Sequence, residues 1–260
     1  MKKAITILTL ILLGCGKNSD HHSIIVPDVI QANNTRGNIV GLILLYDEDG
    51  KAISDKSGIT VSIDHSSVST QTTIDGKFQL DSIPSGTYDI SYSKTGFGTG
   101  KIMGLYHEAA NHTPTLIKKS ESMAVNSTLA ISNIIVQAFE PAIQQLGTNG
   151  LHIVPVFDNT SDKEKWVHLF FSANANVNAS NYQADYKIKT SGAANQFNNY
   201  NMTTRWFESL GFNKGQTIYV NAYGDSFLAD SYTDPISNQT IFPSLSNKPS
   251  TTVSFTIPSK

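Results

Sequence analysis

Short runs in which apolar and polar residues alternate follow one another through most of the chain, and they constrain its fold more than any other feature. Ile59, Val61 and Ile63 alternate with Thr60 and Ser62, and comparable runs recur as far as the C-terminus. A period of two places every second side chain on the same face of an extended strand. Turn residues such as Asp-Gly and Pro-Ser-Gly separate the runs. The sequence therefore predicts an all-β protein.

A few segments depart from strict alternation. Residues 39–46 and 166–171 are apolar almost throughout, which is typical of buried strands. Residues 201–210 are the one predicted helix, and a glycine ends it. Asp75 and Gly76 form the dipeptide that favours a two-residue β-hairpin.

The composition excludes several classes of protein. Charged residues make up 15% of the 260 residues and the formal net charge is -2, so no basic surface indicates a nucleic-acid partner. The single cysteine rules out an intramolecular disulfide and a multi-cysteine metal site. A chain of this length can form one large domain or two ordinary domains, each with its own core.

The N-terminus has the features of an export signal. Two lysines precede an apolar run, residues 4–13, which is too short to span a bilayer as a helix. The run leads into Leu12, Leu13, Gly14 and Cys15. This sequence resembles the lipobox of bacterial lipoproteins, here of the Bacteroidetes type.

The lipobox resemblance implies a lipid anchor. Cleavage would remove residues 1–14 as a signal peptide, and acyl chains would be attached to the sulfur and the new amine of Cys15. One acyl chain binds a membrane only marginally, whereas two or three anchor a protein stably. Residues 15–35 would then form a polar tether. Because residue 16 is not Asp, we expect the lipid to anchor the protein in the outer membrane. The sequence leaves open whether the protein faces the cell surface or the periplasm. An ordinary secretory signal with a chance cysteine is the alternative.

Residues 36–118 contain four motifs in a fixed order. They are GNIVG, DGKAI, TIDGKF and IPSGTY, beginning at Gly37, Asp49, Thr73 and Ile83. Their order resembles that of carboxypeptidase regulatory-like domains, which are transthyretin-like β-sandwiches. The resemblance implies a fold and an accessory role, because such modules generally have no catalytic residues of their own. The polar residues 119–127 that follow are predicted to link two domains.

Residues 126–260 form a second β-rich region. The sequence KGQTIYVNAY, from Lys214 to Tyr223, resembles the penultimate strand of a fibronectin type III or immunoglobulin-like sandwich. That family usually has Arg at the position of Asn221. The region is longer than such a domain, and the surplus falls in the Asn-rich stretch and after Tyr223. The predicted architecture is thus two tandem β-sandwich domains behind a cleaved lipoprotein signal peptide.

No motif for catalysis or metal binding stands out. The chain lacks a Gly-x-Ser-x-Gly elbow, and its only cysteine belongs to the lipobox. His107 and His112 flank Glu108 at a spacing of five rather than the four of a zinc helix, so two exposed loop histidines are the simpler interpretation. His152 and His168 lie in apolar strands, where they approach each other only if those strands pair. We expect no cofactor and no metal.

Aromatic residues within an Asn-rich stretch are the best candidates for a binding site. Sugar rings stack on Tyr or Trp, and amides bind their hydroxyl groups. Tyr182, Tyr186, Tyr200 and Trp206 are therefore candidate glycan contacts, unless they only fill a core. The sequence predicts a non-catalytic envelope lipoprotein that binds a partner protein or polymer. A glycan-binding accessory of a polysaccharide-capture system is the alternative.

Overall fold

The computed structural model describes residues 35–109, 113–139, 149–158, 163–191, 201–228 and 230–259. From Thr35 onward the chain forms one compact unit that contains two hydrophobic cores. Nearly all of its regular structure is β, so the predicted all-β class is confirmed. Within the described ranges, no helix is long and apolar enough to cross a membrane.

Eight strands of the described ranges build the first sandwich. They are β1 (Arg36–Tyr46), β2 (Thr60–Ile63), β3 (Ser69–Gln71), β4 (Lys77–Pro84), β5 (Gly86–Lys94), β6 (Gly98–His107), β7 (Thr115–Leu116) and β8 (Glu121–Ala124). One sheet has the order β4-β1-β7, and β8 also pairs with β1. The other sheet has the order β3-β2-β5-β6. Strand β1 is antiparallel to β4 and parallel to both β7 and β8.

Strand β1 shows how the sequence specifies this core. Its apolar run buries Ile39, Ile43 and Leu45 on one face, between the two sheets. Gly41 lies on the same face, and a Cβ atom there would be 2.6 Å from the ring of Phe78. Only glycine leaves room for that ring, because a side chain would have to displace a well-packed aromatic residue.

The second sandwich contains the remaining elements. They are β9 (Ile131–Phe139), β10 (Gly150–Phe157), β11 (Glu164–Ser172), β12 (Ala184–Ser191), β13 (Asn201–Thr203), α1 (Thr204–Ser209), β14 (Thr217–Asp225), β15 (Tyr232–Thr233), β16 (Thr240–Ile241) and β17 (Val253–Thr256). One sheet has the order β13-β10-β9, and the other β12-β11-β14-β17. Among the described residues, strands β15 and β16 pair only with each other.

The four-stranded sheet of the second sandwich is covered on both faces. Val167, Leu169 and Phe171 of β11 point into the core. On the opposite face, the rings of His168 and Phe170 pack against Phe242, at centroid distances of 4.2 and 5.5 Å. Phe242 belongs to residues 226–250, which join β14 to β17 and are called the cover segment below. This double burial explains why residues 166–171 are apolar almost throughout.

The predicted helix exists as α1. It begins at Thr204, because the hydroxyl group of Thr203 accepts a hydrogen bond from the Trp206 amide at 3.2 Å and caps the helix. Residues 201–203 pair with β10 instead of extending the helix. Gly211, with φ of +88°, follows the last turn.

Two local predictions differ from the structure. The chain turns at Asp75 and Gly76 as expected, because the Gly76 amide donates to the Thr73 carbonyl and the Thr73 amide to the Lys77 carbonyl, both at 2.8 Å. The two-residue hairpin is wrong, however, because β3 and β4 belong to different sheets and only Gly76 has a positive φ. Residues 119–127, predicted as a link, contain β8, whose Met123 is buried in the first core. The domain bounds 36–118 and 126–260 stay a prediction. The signal peptide and the lipobox lie outside the described residues.

Candidate functional site

A polar cleft of about 340 Å³ lies between the two sandwiches. The first sandwich contributes Tyr92 of β5, Lys101 of β6 and Glu121 of β8. The cover segment of the second sandwich forms the facing wall, which includes Asp230 and Tyr232. Charged, hydroxyl and aromatic groups therefore converge on a single concave surface.

The turn after β1 holds the two sandwiches together beside the cleft. The Glu48 carboxylate accepts hydrogen bonds from Ser127 Oγ at 2.6 Å and Thr128 Oγ1 at 2.9 Å. Asp49 forms ion pairs with Lys163 and Lys165 at 2.7 and 2.8 Å, and these two hydrogen bonds lower the pKa of Asp49. This acidic turn ends β1, and its carboxylates also form the contacts that join the two sandwiches.

The turn between β5 and β6 fixes the position of the cover segment. Gly98 has a φ of +72°, and a Cβ atom there would lie 2.2 Å from the carbonyl oxygen of Pro243. The Asn126 amide also donates to the Gly96 carbonyl at 2.8 Å. The backbone of Gly98 therefore packs directly against the backbone of Pro243, and no side chain fits between them. This contact fixes the position of the cleft wall beside it.

Two carboxylates line the cleft with few compensating bonds. Glu121 Oε2 accepts a hydrogen bond from the Tyr92 hydroxyl group at 3.2 Å. Asp230 has neither a hydrogen bond nor an ion pair with any residue that the structure describes. Burial raises the pKa of Asp230 to about 6, against the effect of Lys187, and repulsion from Asp225 and Glu121 adds to the rise. Burial and the neighbouring Glu121 also raise the pKa of Tyr92.

Lys101 and Tyr232 form a second part of the lining. Lys101 Nζ lies 2.7 Å from Asp64 Oδ2, and this hydrogen bond raises the pKa of Lys101. The same Nζ lies 5.9 Å from the centre of the Tyr232 ring, which is within the range of a cation–π contact. Lys101 therefore forms an ion pair with a carboxylate of its own sandwich.

Ser244 is a buried residue of the cleft lining. Only 2% of it is exposed, yet its hydroxyl oxygen has no hydrogen-bond partner among the described residues. A buried polar atom without a partner costs free energy. A ligand in the cleft would remove this cost only if the Ser244 side chain turned its hydroxyl group toward the ligand.

A network of buried charged side chains forms hydrogen bonds with the start of the cover segment. Lys187 Nζ donates to the carbonyl oxygens of Ser226 and Leu228 at 2.7 and 2.6 Å, and lies 2.9 Å from Asp225 Oδ2. His168 Nε2 is 2.8 Å from Asp185 Oδ2, and its Nδ1 is 3.3 Å from Asp225 Oδ2. Lys187 thus links the network directly to the start of the cover segment.

The charge of His168 follows from these contacts. Burial alone lowers its pKa, but the hydrogen bonds with Asp185 and Asp225 outweigh burial and raise the pKa above 6.5. His152 lies on β10 in the opposite sheet, beside Phe139. The condition for an approach of the two histidines is not met, because β10 and β11 lie in different sheets.

His107 differs from its predicted state as well. It is fully buried, with Nδ1 2.7 Å from Thr115 Oγ1 and Nε2 3.1 Å from the carbonyl oxygen of Ile83. The expectation of an exposed loop histidine is wrong for His107, while His112 lies outside the described residues. The described residues contain no group of three side chains suited to hold a metal ion.

The three predicted glycan contacts that the structure describes, Tyr182, Tyr186 and Trp206, do not form one surface. Tyr186 and Trp206 meet edge to face at 5.3 Å, and 38% of Tyr186 is exposed. Tyr182 packs against Phe170, and its hydroxyl group donates to the Thr240 carbonyl at 3.4 Å. Trp206 packs on the second core, and Tyr200 lies outside the described residues. Their role in binding stays a prediction.

Sequence reasoning missed the lining of the cleft. The connection from β14 to β17 is long and has no motif, and it contains Asp230, Tyr232 and Ser244. Glu121 belongs to the polar stretch predicted to link two domains. The one available signal was the extra length after Tyr223, because long insertions often carry binding sites.

No protein-family model and no curated protein matches the chain. Solved structures show partial similarity. One is a chain of a type II cohesin–X-dockerin complex from Acetivibrio cellulolyticus, at 19% identity and a TM-score of 0.30, covering 35% of this chain and 58% of that one. The chain therefore spans little more than half the length of that structure.

Two further structures overlap with most of this chain. One is a DUF3823 family protein from Parabacteroides merdae, at 12% identity and a TM-score of 0.27, and the match covers 86% of this chain and 100% of that chain. The other is a DUF3823 family protein from Bacteroides uniformis, at 14% identity and a TM-score of 0.26, and the match covers 84% of this chain and 99% of that chain. Scores this low assign neither a family nor a function. The fold and the cleft define the chain as a double β-sandwich protein with a polar cleft between its sandwiches.

Proposed function

We propose that the chain is a non-catalytic, membrane-anchored envelope lipoprotein that acts as a binding and spacer module and holds a glycan segment in the cleft. The composition of the cleft carries this proposal. It combines Asp230, whose causes of pKa change include no hydrogen bond, with Tyr232 and with Ser244, whose buried hydroxyl group has no partner among the described residues.

The chemistry of the lining suits a polyhydroxylated ligand. Carboxylates accept hydrogen bonds from sugar hydroxyl groups, serine hydroxyl groups both donate and accept, and an aromatic ring packs against the apolar face of a sugar. Ser120, Ser122 and Ser231 add further hydroxyl-bearing residues to the lining. A cleft of about 340 Å³ lies at the lower end of the range of small-ligand sites, so it would hold a short segment of a polymer.

A glycan array probed with the full-length protein in detergent tests this proposal. We expect binding to a restricted set of glycans, and loss of that binding in Tyr232→Ala. The same glycans should be recovered without cleavage. Release of shorter products would contradict the non-catalytic assignment, because a pair of carboxylates is also the catalytic set of glycoside hydrolases.

Docking of a partner protein is the second candidate function. A groove of about 680 Å³ on the first sandwich is lined by Val40, Leu42, Phe78 and Leu116, and 63% of Leu116 is exposed. Exposed apolar grooves are typical of protein–protein contacts. Crosslinking in intact cells, followed by identification of the captured proteins, tests it: Leu116→Lys should reduce capture of any partner that docks there.

The anchor and the location are part of the same proposal. Lipid on Cys15 would hold the protein in the outer membrane, with residues 15–35 as the spacer, facing either the cell surface or the periplasm. We expect Cys15→Ala to leave the membrane fraction. A membrane-impermeant amine reagent that labels the protein on intact cells would place it at the surface, and labelling only after lysis would place it in the periplasm.

A further inference from the structure

The cleft contains negative charge that the protein itself does not neutralise. Asp230 has no hydrogen bond or ion pair with the described residues, and the Glu121 carboxylate accepts only the Tyr92 hydroxyl group from them. Both carboxylates line the same cleft, and repulsion from Glu121 contributes to the raised pKa of Asp230. A ligand that brought positive charge to this position would relieve both.

Two of the lysines near Asp230 are already paired with other carboxylates. Lys101 is paired with Asp64 at 2.7 Å. Lys187 lies 2.9 Å from Asp225 and donates to two carbonyl oxygens of the cover segment. Lys119 also lines the cleft, but it is exposed, so water screens its charge. None of the three forms an ion pair with Asp230 in the part of the chain that the structure describes.

A separate observation points to a ligand at the same place. Ser244 lines the cleft, and its hydroxyl oxygen is buried without a hydrogen-bond partner among the described residues. Tyr92, Phe97 and Tyr232 also line the cleft. An ammonium group suits this combination, because it donates three hydrogen bonds and is attracted both to carboxylates and to aromatic faces.

We propose that the cleft selects a glycan that carries a free ammonium group, namely a glucosamine residue without its N-acetyl group, and that Asp230 and Glu121 bind this ammonium. The inference rests on the proposed function and names its ligand class. A lysine side chain offers the same charge, but its long apolar stem has no hydroxyl groups to bind the serine-rich lining, which includes Ser122, Ser231 and Ser244. The hydroxyl groups of a sugar ring bind those serines beside the ammonium.

Calorimetry with the full-length protein in detergent tests the selection. The probes are the hexamers of glucosamine and of N-acetylglucosamine, which differ in charge at every ring, with cellohexaose and pentalysine as controls. At about pH 6.5 a substantial part of the amines of the glucosamine hexamer is protonated, although the neighbouring C–O bonds make them less basic than a lysine amine. Asp230, with a pKa of about 6, is mostly ionised at this pH. We expect the glucosamine hexamer to bind at least about tenfold more tightly than the acetylated hexamer, as a charge-assisted hydrogen bond allows.

Two variants locate the selectivity. Asp230→Asn keeps the shape of the side chain and should remove most of the preference for the glucosamine hexamer. Asp75→Asn makes the same change at an exposed turn and should leave the preference intact. Thermal unfolding of both variants shows that each is folded, so a lost preference in Asp230→Asn reports on the charge.

The other outcomes separate the inference from the proposed function. Equal or tighter binding of the acetylated hexamer or of cellohexaose would overturn the inference and leave glycan binding standing. Pentalysine binding as tightly as the glucosamine hexamer would overturn the choice of an amino sugar. A tighter complex with Ca²⁺ alone, abolished by Asp230→Asn, would assign the carboxylates to a metal. Failure of every oligosaccharide to bind would count against the proposed function as well.

Discussion

Replacing Asp230 with Asn is expected to stabilise the folded protein at neutral pH. The ionised side chain is partly buried in the cleft without a partner, and its pKa is raised from 3.8 to about 6. At about 1.4 kcal/mol per pKa unit, this difference corresponds to about 3 kcal/mol for a fully buried carboxylate. Part of the side chain reaches solvent, and screening reduces the figure to about 1–2 kcal/mol.

The sign of the pH dependence follows from the direction of the pKa. Because the folded state binds the proton more tightly than the unfolded state, Asp230 lowers the free energy of unfolding as the pH rises from about 4 to about 6. Asn cannot ionise, so the variant lacks this loss. We therefore expect Asp230→Asn to match the natural protein near pH 4 and to exceed it by about 1–2 kcal/mol at pH 7.

Urea unfolding at the two pH values measures this difference. Asp75→Asn, which removes an exposed carboxylate, controls for the change in net charge and should have little effect at either pH. Equal stability of Asp230→Asn and the natural protein at both pH values would refute the reasoning. Lower stability of the variant at pH 7 would mean that Asp230 has a favourable partner in the folded state.

Three further outcomes follow from the same structure. Titration by NMR should show a His168 pKa above 6.5, and Asp225→Asn should lower it; a normal pKa would contradict the buried network. Since a raised histidine pKa stabilises the fold only while the ring is protonated, this contribution should disappear as the pH rises through that pKa. Gly98→Ala should destabilise the protein by more than about 1 kcal/mol, whereas Gly96→Ala, with a similar φ and no atom within 4 Å, should cost less. Equal costs would mean that the contact with Pro243 does not hold the cleft wall.

The strands of the cores were largely predictable from the sequence. The apolar run that became β1, the alternation that became β2 and the capped helix α1 all depend on local periodicity and turn chemistry. Strand β8 was not predictable, because Glu121 and Ser122 look polar and only the parallel pairing with β1 makes Met123 part of the core. Such a pairing joins segments far apart in the chain and leaves no local signal.

The cleft could not be predicted for the same reason. Asp230 and Glu121 are more than a hundred residues apart, and only the packing of the cover segment against the first sandwich brings them together. The aromatic residues chosen from the sequence followed a local rationale, and their role in binding stays a prediction. Of the described ones, Tyr182 packs on Phe170 and Tyr186 on Trp206, because the strand register places Tyr186 opposite Leu169 on the core side of the sheet.

The claim that the cleft binds a glycan is tested most directly by comparing two tyrosines. Tyr232→Ala removes a ring from the cleft, and Tyr186→Ala removes a partly exposed ring beside Trp206. For a glycan that binds the natural protein, we predict that Tyr232→Ala weakens affinity by at least about tenfold. Tyr186→Ala should leave the affinity unchanged. Loss of binding in Tyr186→Ala with full binding in Tyr232→Ala would contradict the account and move the site to the surface around Trp206.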